Sequence, residues 1–258
     1  MQLLVLAAKS DEPEATAVAL RLGTRVADIA DTPPDGVHLA LMGGRRQLWE
    51  VEAGRVVTTL SIDFGEVRDS PALRRAVLAT GREPRWIVDA TGGLGNDAFV
   101  MASAGAQVEL IERSPVVHLL LEDGLRRALE DEGTQAAASR MNLHFGEAGG
   151  LLTRFRGCDV VYLDPMYPQS GREGGKAKGM RFLRLLAGDD DDAGELLQAA
   201  RRTAVRRVSV KRPLRAPPLA GERPSGSLRG KIVRFDLYAP LPEDAAEEAE
   251  ENRAQEQT

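Results

Sequence analysis

The sequence is poor in the residues that would staple, metallate or span. Cys158 is the only cysteine among 258 residues, so no internal disulfide is possible. One thiol and three histidines, His38, His118 and His144, show no metal-ligand spacing, and no metal site is expected. No run of about eighteen apolar residues occurs, which argues against a membrane-spanning helix. The N-terminus, M-Q-L-L-V-L-A-A-K-S, lacks a basic stretch ahead of its short apolar run and reads as a first strand rather than a leader. A reducing cytoplasm is the expected compartment.

The net charge of −5 hides an asymmetry. Residues Leu241–Thr258 carry seven acids against Arg253 alone, leaving the rest of the chain close to neutral. Within Gly171–Phe235 sixteen Lys/Arg face seven Asp/Glu. Such a concentration is either a solvated surface or the footprint of a nucleic-acid partner.

The chain is organised around W-I-V-D-A-T-G-G-L-G-N-D-A-F, residues 86–99. An apolar run ends at Asp89, a glycine turn follows, and Asn96-Asp97 suits a helix start. Strand, glycine turn and helix hold a nucleotide-like cofactor at the carboxyl end of a parallel sheet. Strands at 107–111, 141–145, 159–163 and 207–210 alternate with helices. The expected fold is therefore α/β, a Rossmann-like, mostly parallel sheet with helices on both faces. Residues 1–65 read as a small α+β unit with an antiparallel meander, residues 66–240 as the sheet domain, and 241–258 as an acidic disordered tail.

The turn G-L-G-N-D-A matches the dinucleotide fingerprint, with Gly93, Gly95 and Ala98 in place. Asp97 would repel a pyrophosphate at the helix N-terminus, whereas a sulfonium cofactor has a positive centre that Asp89 and Asp97 favour. Thr91 and Asn96 belong to the same turn. Glu112-Arg113, ending the second strand, places a carboxylate for two ribose hydroxyls. Gly146-Glu147, ending the third, lies where an adenine edge would be.

Asp164-Pro165-Met166-Tyr167 ends the fourth strand. A base-attached amine is a weak nucleophile because its lone pair is delocalised into the ring. Asp164 and the Pro165 carbonyl can accept its two N–H bonds, and Tyr167 can stack on the base, leaving in-line positioning as the remaining task. An ordinary Asp-Pro turn is the plain alternative. Lys176, Lys178, Arg181, Lys211 and Arg212 flank the expected mouth as phosphate contacts or as solvated cations. Gly174-Gly175-Lys176 lacks the Ser/Thr of a phosphate loop, and the histidines read as structural.

Together D-A-T-G-G-L-G-N-D-A-F, L-I-E-R-S-P-V-V, V-V-Y-L-D-P-M-Y-P, V-K-R-P-L-R-A-P-P-L-A and R-F-D-L-Y-A resemble the ribosomal RNA small subunit methyltransferase J family over residues 60–240. The resemblance implies a class I S-adenosylmethionine-dependent methyltransferase with a seven-stranded sheet, acting on the N2 amine of a guanine in 16S rRNA, naked or in the small subunit. It implies cofactor contacts at Asn96-Asp97, Glu112-Arg113, Gly146-Glu147 and Asp164. Asn96 stands where the family usually has Arg, and Tyr167 where it has Phe. The residues alone leave open methylation of another amine (a protein glutamine or a small heterocycle), a nicotinamide-dependent oxidoreductase, and a silent RNA-binding protein.

Overall fold

The computed structural model describes residues 3–78, 86–166, 186 and 192–242. Tyr167, Lys176, Lys178 and Arg181, most of the helix expected around Met180–Leu186, and the acidic tail from residue 243 lie outside the described residues.

A first sheet has the order β2-β1-β3-β4-β5. It is formed by β1 (Val5–Ala7), β2 (Val26–Asp28), β3 (Gly36–Met42), β4 (Arg45–Glu52) and β5 (Arg55–Leu60). Helix α1 (Glu12–Leu22) starts with Pro13 in its first turn, where a missing N–H costs nothing. The expectation of an antiparallel meander holds for β3, β4 and β5 only. β1 pairs in parallel with both β2 and β3, so the sheet is mixed. The reason is α1, which carries the chain back across the sheet before β2, and a parallel partner needs such a crossover.

The second sheet has seven strands in the order β11-β12-β10-β9-β6-β7-β8. They are β6 (Trp86–Asp89), β7 (Gln107–Glu112), β8 (Met141–Phe145), β9 (Val160–Leu163), β10 (Arg207–Pro213), β11 (Gly226–Arg229) and β12 (Val233–Tyr238). The five strands from β10 to β8 are parallel, and β12 and β11 add antiparallel. β11 had no signal in the sequence, since G-S-L-R is short and polar.

Alternation sends neighbouring residues of one strand to opposite faces. Ile87 joins the core under α2 (Pro71–Leu78), α3 (Asn96–Ser103) and α4 (Pro115–Glu130). Val88 joins the core under α6 (Ala148–Leu151) and α7 (Ala193–Thr203); α5 is the short turn Gln135–Ala138. Pro71 and Pro115 each open a helix behind a serine, and the Ser114 hydroxyl accepts from Val117 N at 3.5 Å.

The first sheet is fastened to α4. Arg46 donates to Glu14, to Glu122 and to the Leu119 carbonyl, and Arg21 forms a two-bond pair with Glu122. The connection between the sheets also reaches the glycine turn, because Phe64 stacks on Phe99 with centroids 5.0 Å apart. The core cluster beneath α3 and α4 continues into the first sheet through Val5, Leu39 and Leu48.

The chain proceeds from β6 outward through β7 to β8, then returns to place β9 on the other side of β6. At such a reversal the connections leave in opposite directions and open a crevice beyond the strand ends.

Candidate functional site

The crevice at the β6/β9 reversal is a cavity of about 240 Å³. β6 ends at Asp89, which is 1% exposed. Its Oδ1 accepts from Thr91 N at 3.1 Å and Thr91 Oγ1 at 3.4 Å. Burial pushes the Asp89 carboxyl up to about 8; the Thr91 N–H opposes this, and Asp97 and Asp164 add to the rise. Thr91 Oγ1 in turn accepts from Asp164 N at 2.6 Å. One short relay thus ties the ends of β6 and β9 together.

The turn itself depends on Gly92. Its N–H donates to the Ile111 carbonyl at 2.8 Å, and a Cβ there would lie 2.8 Å from that same oxygen. Gly95, at φ +73°, packs where a Cβ would meet Leu121 and Phe64. The fingerprint spacing had pointed to Gly93 and Gly95; both line the cavity, and Gly92 is the position of closest backbone approach.

Glu112, buried at the end of β7, spans the turn. Its Oε2 accepts from Gly93 N at 2.8 Å and its Oε1 from Ser114 N at 2.7 Å. A carboxylate has about four acceptor positions, so this bracing is compatible with holding ribose hydroxyls as well. Arg113 lies 3.6 Å from Asp192 and 3.9 Å from Glu147. Gly146 and Glu147 border the cavity beyond β8.

At the opposite end stands a row of four polar side chains. Tyr162 OH donates to Asp97 Oδ2 at 2.6 Å. Lys211 Nζ donates to the same oxygen at 2.7 Å and to Asp164 Oδ2 at 2.9 Å. Burial acts to lower the Lys211 pKa, but the carboxylates of Asp164 and Asp97 outweigh it and raise the ammonium above its ordinary range. Burial, then the nearby Asp97 and Asp164 carboxylates, raise the Tyr162 phenol well above its usual range, so it stays a donor.

Two expectations change here. Lys211 faces inward and pairs with two carboxylates, so it is a wall of the cavity and not an outer phosphate contact. Arg212 is 4% exposed, and its guanidinium donates twice to the Pro217 carbonyl, which holds it inside the fold. Alternation along β10 explains why the two differ, since consecutive residues point to opposite faces. Asp97 lines the cavity and does not cap α3: Gly95 is the N-cap, without a side-chain cap bond, and Asp97 accepts from Tyr162 and Lys211.

The structure brings Asp89, Thr91, Gly93, Gly95, Asn96, Asp97, Glu112, Arg113, Gly146, Glu147 and Asp164 to one cavity. Pro165 is buried directly behind Asp164. Sequence reasoning missed Gly92, Tyr162, Met166, Asp192 and Leu196 as lining residues. For Tyr162 the signal was a phenol within an otherwise aliphatic strand; the others had none.

The histidines lie elsewhere. His38 Nδ1 accepts from Leu4 N, His118 lies 3.6 Å from Glu122, and His144 meets Glu109 at 2.6 Å. Among the described residues no group of three or more His, Cys, Asp or Glu could hold a metal ion. No helix among them is long and apolar enough to cross a membrane.

The cavity chemistry suits a sulfonium nucleoside. Its walls carry the carboxylates of Asp97, Glu112, Glu147, Asp164 and Asp192 against Arg113 and Lys211. A pyrophosphate at the α3 N-terminus would meet Asp97, while a cationic ligand would be attracted.

Comparison with known proteins agrees with this chemistry. The family model described as "Putative SAM-dependent methyltransferase" matches residues 46–240. A ribosomal RNA small subunit methyltransferase J from Laribacter hongkongensis is 42% identical over 93% of this chain and 89% of its own length. One from Thioalkalivibrio sulfidiphilus is 49% identical over 66% of this chain and 68% of its own. The crystal structure of a SAM-dependent methyltransferase from Neisseria gonorrhoeae superposes with a TM-score of 0.68 at 34% identity. It covers 92% of this chain and 96% of its own.

Proposed function

Because the chain belongs to the ribosomal RNA small subunit methyltransferase J family, we propose that it methylates the exocyclic N2 amine of a guanosine in small-subunit rRNA. S-adenosylmethionine supplies an electrophilic methyl on a positive sulfur. Everything else falls to the protein. Glu112 grips the ribose from the end of β7, and Gly146-Glu147 border the adenine. Asp89 and Thr91 hold the β6 and β9 ends in register. Asp164, with the Pro165 carbonyl, would accept the N–H bonds of the guanine amine and turn its lone pair toward the methyl; as the N–C bond forms, the S–methyl bond breaks with its electrons left on a neutral thioether, and Asp164 receives the amine proton. Tyr167 stacks on the base.

The observation that carries this reading is the Thr91 Oγ1 bond to Asp164 N. It fixes the amine acceptor against the cofactor turn, so that donor and acceptor are held in one geometry. Lys176, Lys178 and Arg181 serve as phosphate contacts, and their effect should weaken steeply with salt. Residues 1–65 form a unit that braces α4 and flanks the turn, residues 66–240 carry the chemistry, and the cytoplasm is where the substrate resides.

The test is Asp164→Ala. Labelled methyl transfer to small subunits should fall by about 10²–10⁴-fold, the range for losing a positioned acid–base group. S-adenosylhomocysteine should still bind with modest loss. Unchanged turnover would remove Asp164 from the reaction.

A further inference from the structure

Lys211 and Arg212 are turned into the fold, which leaves contact with an RNA backbone to other cations. The β11–β12 hairpin supplies two. β12 runs antiparallel to β10, with Val233 opposite Pro213. The turn joining β11 to β12 therefore projects from the carboxyl edge of the parallel strands, the edge that carries Asp164. Its tip is Arg229-Gly230-Lys231-Ile232, closed by a bond from Gly230 N to the Val233 carbonyl at 2.8 Å. Arg229, Lys231 and Ile232 are all exposed. We propose that this tip grips the RNA strand a few nucleotides from the methylated guanosine, with Arg229 and Lys231 on phosphates and Ile232 against the face of a base. The inference rests on the rRNA-substrate reading above and adds a docking surface to it.

Turn chemistry does not ask for these residues. A two-residue hairpin loop favours Gly, Asn or Asp, yet Lys231 and Ile232 hold the two central positions, without a left-handed φ. Ile232 is 82% exposed, and an apolar side chain left in water adds nothing to folding. The tip is nevertheless held in place. Leu228 and Val233 pack into the core beneath α2. A Cβ on Gly230 would lie 2.9 Å from the Val233 carbonyl oxygen and 3.4 Å from the Ala72 Cβ, so the turn sits against α2. A preformed tip spares the cost of ordering on binding. Charge favours a polyanion: residues 225–235 contain no acid. Asp236 is taken by Arg234 at 2.9 Å, and Asp69, ahead of α2, by Arg74 at 3.4 Å. Register gives the reach. Val210 pairs with Leu163 on one side and Asp236 on the other, so Ile232 lies two strands across from Asp164 and three residues beyond its level. At about 4.8 Å per strand and about 3.3 Å per residue, the separation is about 14 Å, a span that one bound strand of RNA covers.

Cys158, the only cysteine, is buried, so Ile232→Cys offers a single accessible thiol. Labelled there with a thiol-directed benzophenone and irradiated on small ribosomal subunits, the full chain should crosslink to the small-subunit rRNA. Crosslinks to ribosomal protein alone, or none, would overturn the proposal. Equilibrium binding to small subunits over a salt series is the second readout. Each phosphate contact on a single strand adds about 0.7 to the slope of log K against log salt. Arg229→Gln combined with Lys231→Gln should therefore bind about tenfold more weakly, with a slope shallower by about 1.4. Ile232→Ser should bind about fivefold more weakly with the slope unchanged, because an apolar contact releases no counterion. Affinity for S-adenosylhomocysteine should stay at the wild-type value in each, which separates loss of docking from loss of fold. Wild-type binding and slope in the double variant would overturn the proposal and leave the rRNA reading intact. A wild type that transfers no methyl to small subunits would sink that reading, and the hairpin's role with it.

Discussion

Replacing Glu112 by Gln isolates what the carboxylate does at the glycine turn. In the wild type both oxygens are used, one by Gly93 N at 2.8 Å and one by Ser114 N at 2.7 Å. Glu112 is 6% exposed, and the Gly93 and Ser114 N–H groups that it braces lose a charged acceptor when it is replaced. Glutamine keeps the shape but offers one oxygen. Whichever N–H keeps it, the other faces the amide NH₂ and loses its acceptor. A hydrogen bond to a charged group contributes about 1.5–3 kcal/mol, so Glu112→Gln should lower stability by about 2 kcal/mol. The urea midpoint should drop with an unchanged slope, since the surface exposed on unfolding is the same. Loss of one charged oxygen toward the ribose should also weaken S-adenosylhomocysteine by about tenfold or more. A variant with the wild-type midpoint and affinity would refute the claim that Glu112 both braces the turn and holds the ribose.

Other expectations follow from the same geometry. Gly92→Ala places a methyl 2.8 Å from the Ile111 carbonyl oxygen, a backbone atom with nowhere to go. It should cost about 1–3 kcal/mol and impair cofactor binding, whereas Gly226→Ala, in open space, should be near neutral in the same urea titration. Asp89 supplies a pH test. Its folded pKa, about 8, exceeds the ordinary 3.8, so folding favours the neutral form. The stability this provides is complete below pH 3.8 and is lost as the pH rises through about 8. Asp89→Asn keeps an acceptor for Thr91 N but has no proton to lose. The stability difference, wild type minus variant, should therefore fall across that window by up to about 1.4 kcal/mol per pH unit. A flat difference would show that Asp89 is ionised throughout.

Much of the site was legible because its chemistry sits where chain direction changes. Asp89, Glu112, Gly146 and Asp164 each close an apolar run, and strand ends are where a parallel sheet gathers its ligands. The sequence also signalled α4, through Ser114 and Pro115. What escaped was what depends on register between distant strands. Lys211 beside Arg212 looked like part of a basic surface, yet the pairing of β10 with β9 turns Lys211 toward Asp164. Tyr162 looked like one more core residue until α3 brought Asp97 within 2.6 Å of its hydroxyl. Gly92 was one of three glycines in a turn, and only the approach of β7 shows which of them has no room. The mixed order of the first sheet was hidden for a related reason, since β2 is three residues long and is placed by α1.

The most direct measurement is transfer of a labelled methyl from S-adenosylmethionine to small ribosomal subunits, followed by digestion and identification of the modified nucleoside. The account predicts label in N2-methylguanosine of the small-subunit rRNA, reduced by about 10²–10⁴-fold when Asp164→Ala replaces the wild type. Label in another nucleoside, or in protein, would contradict it.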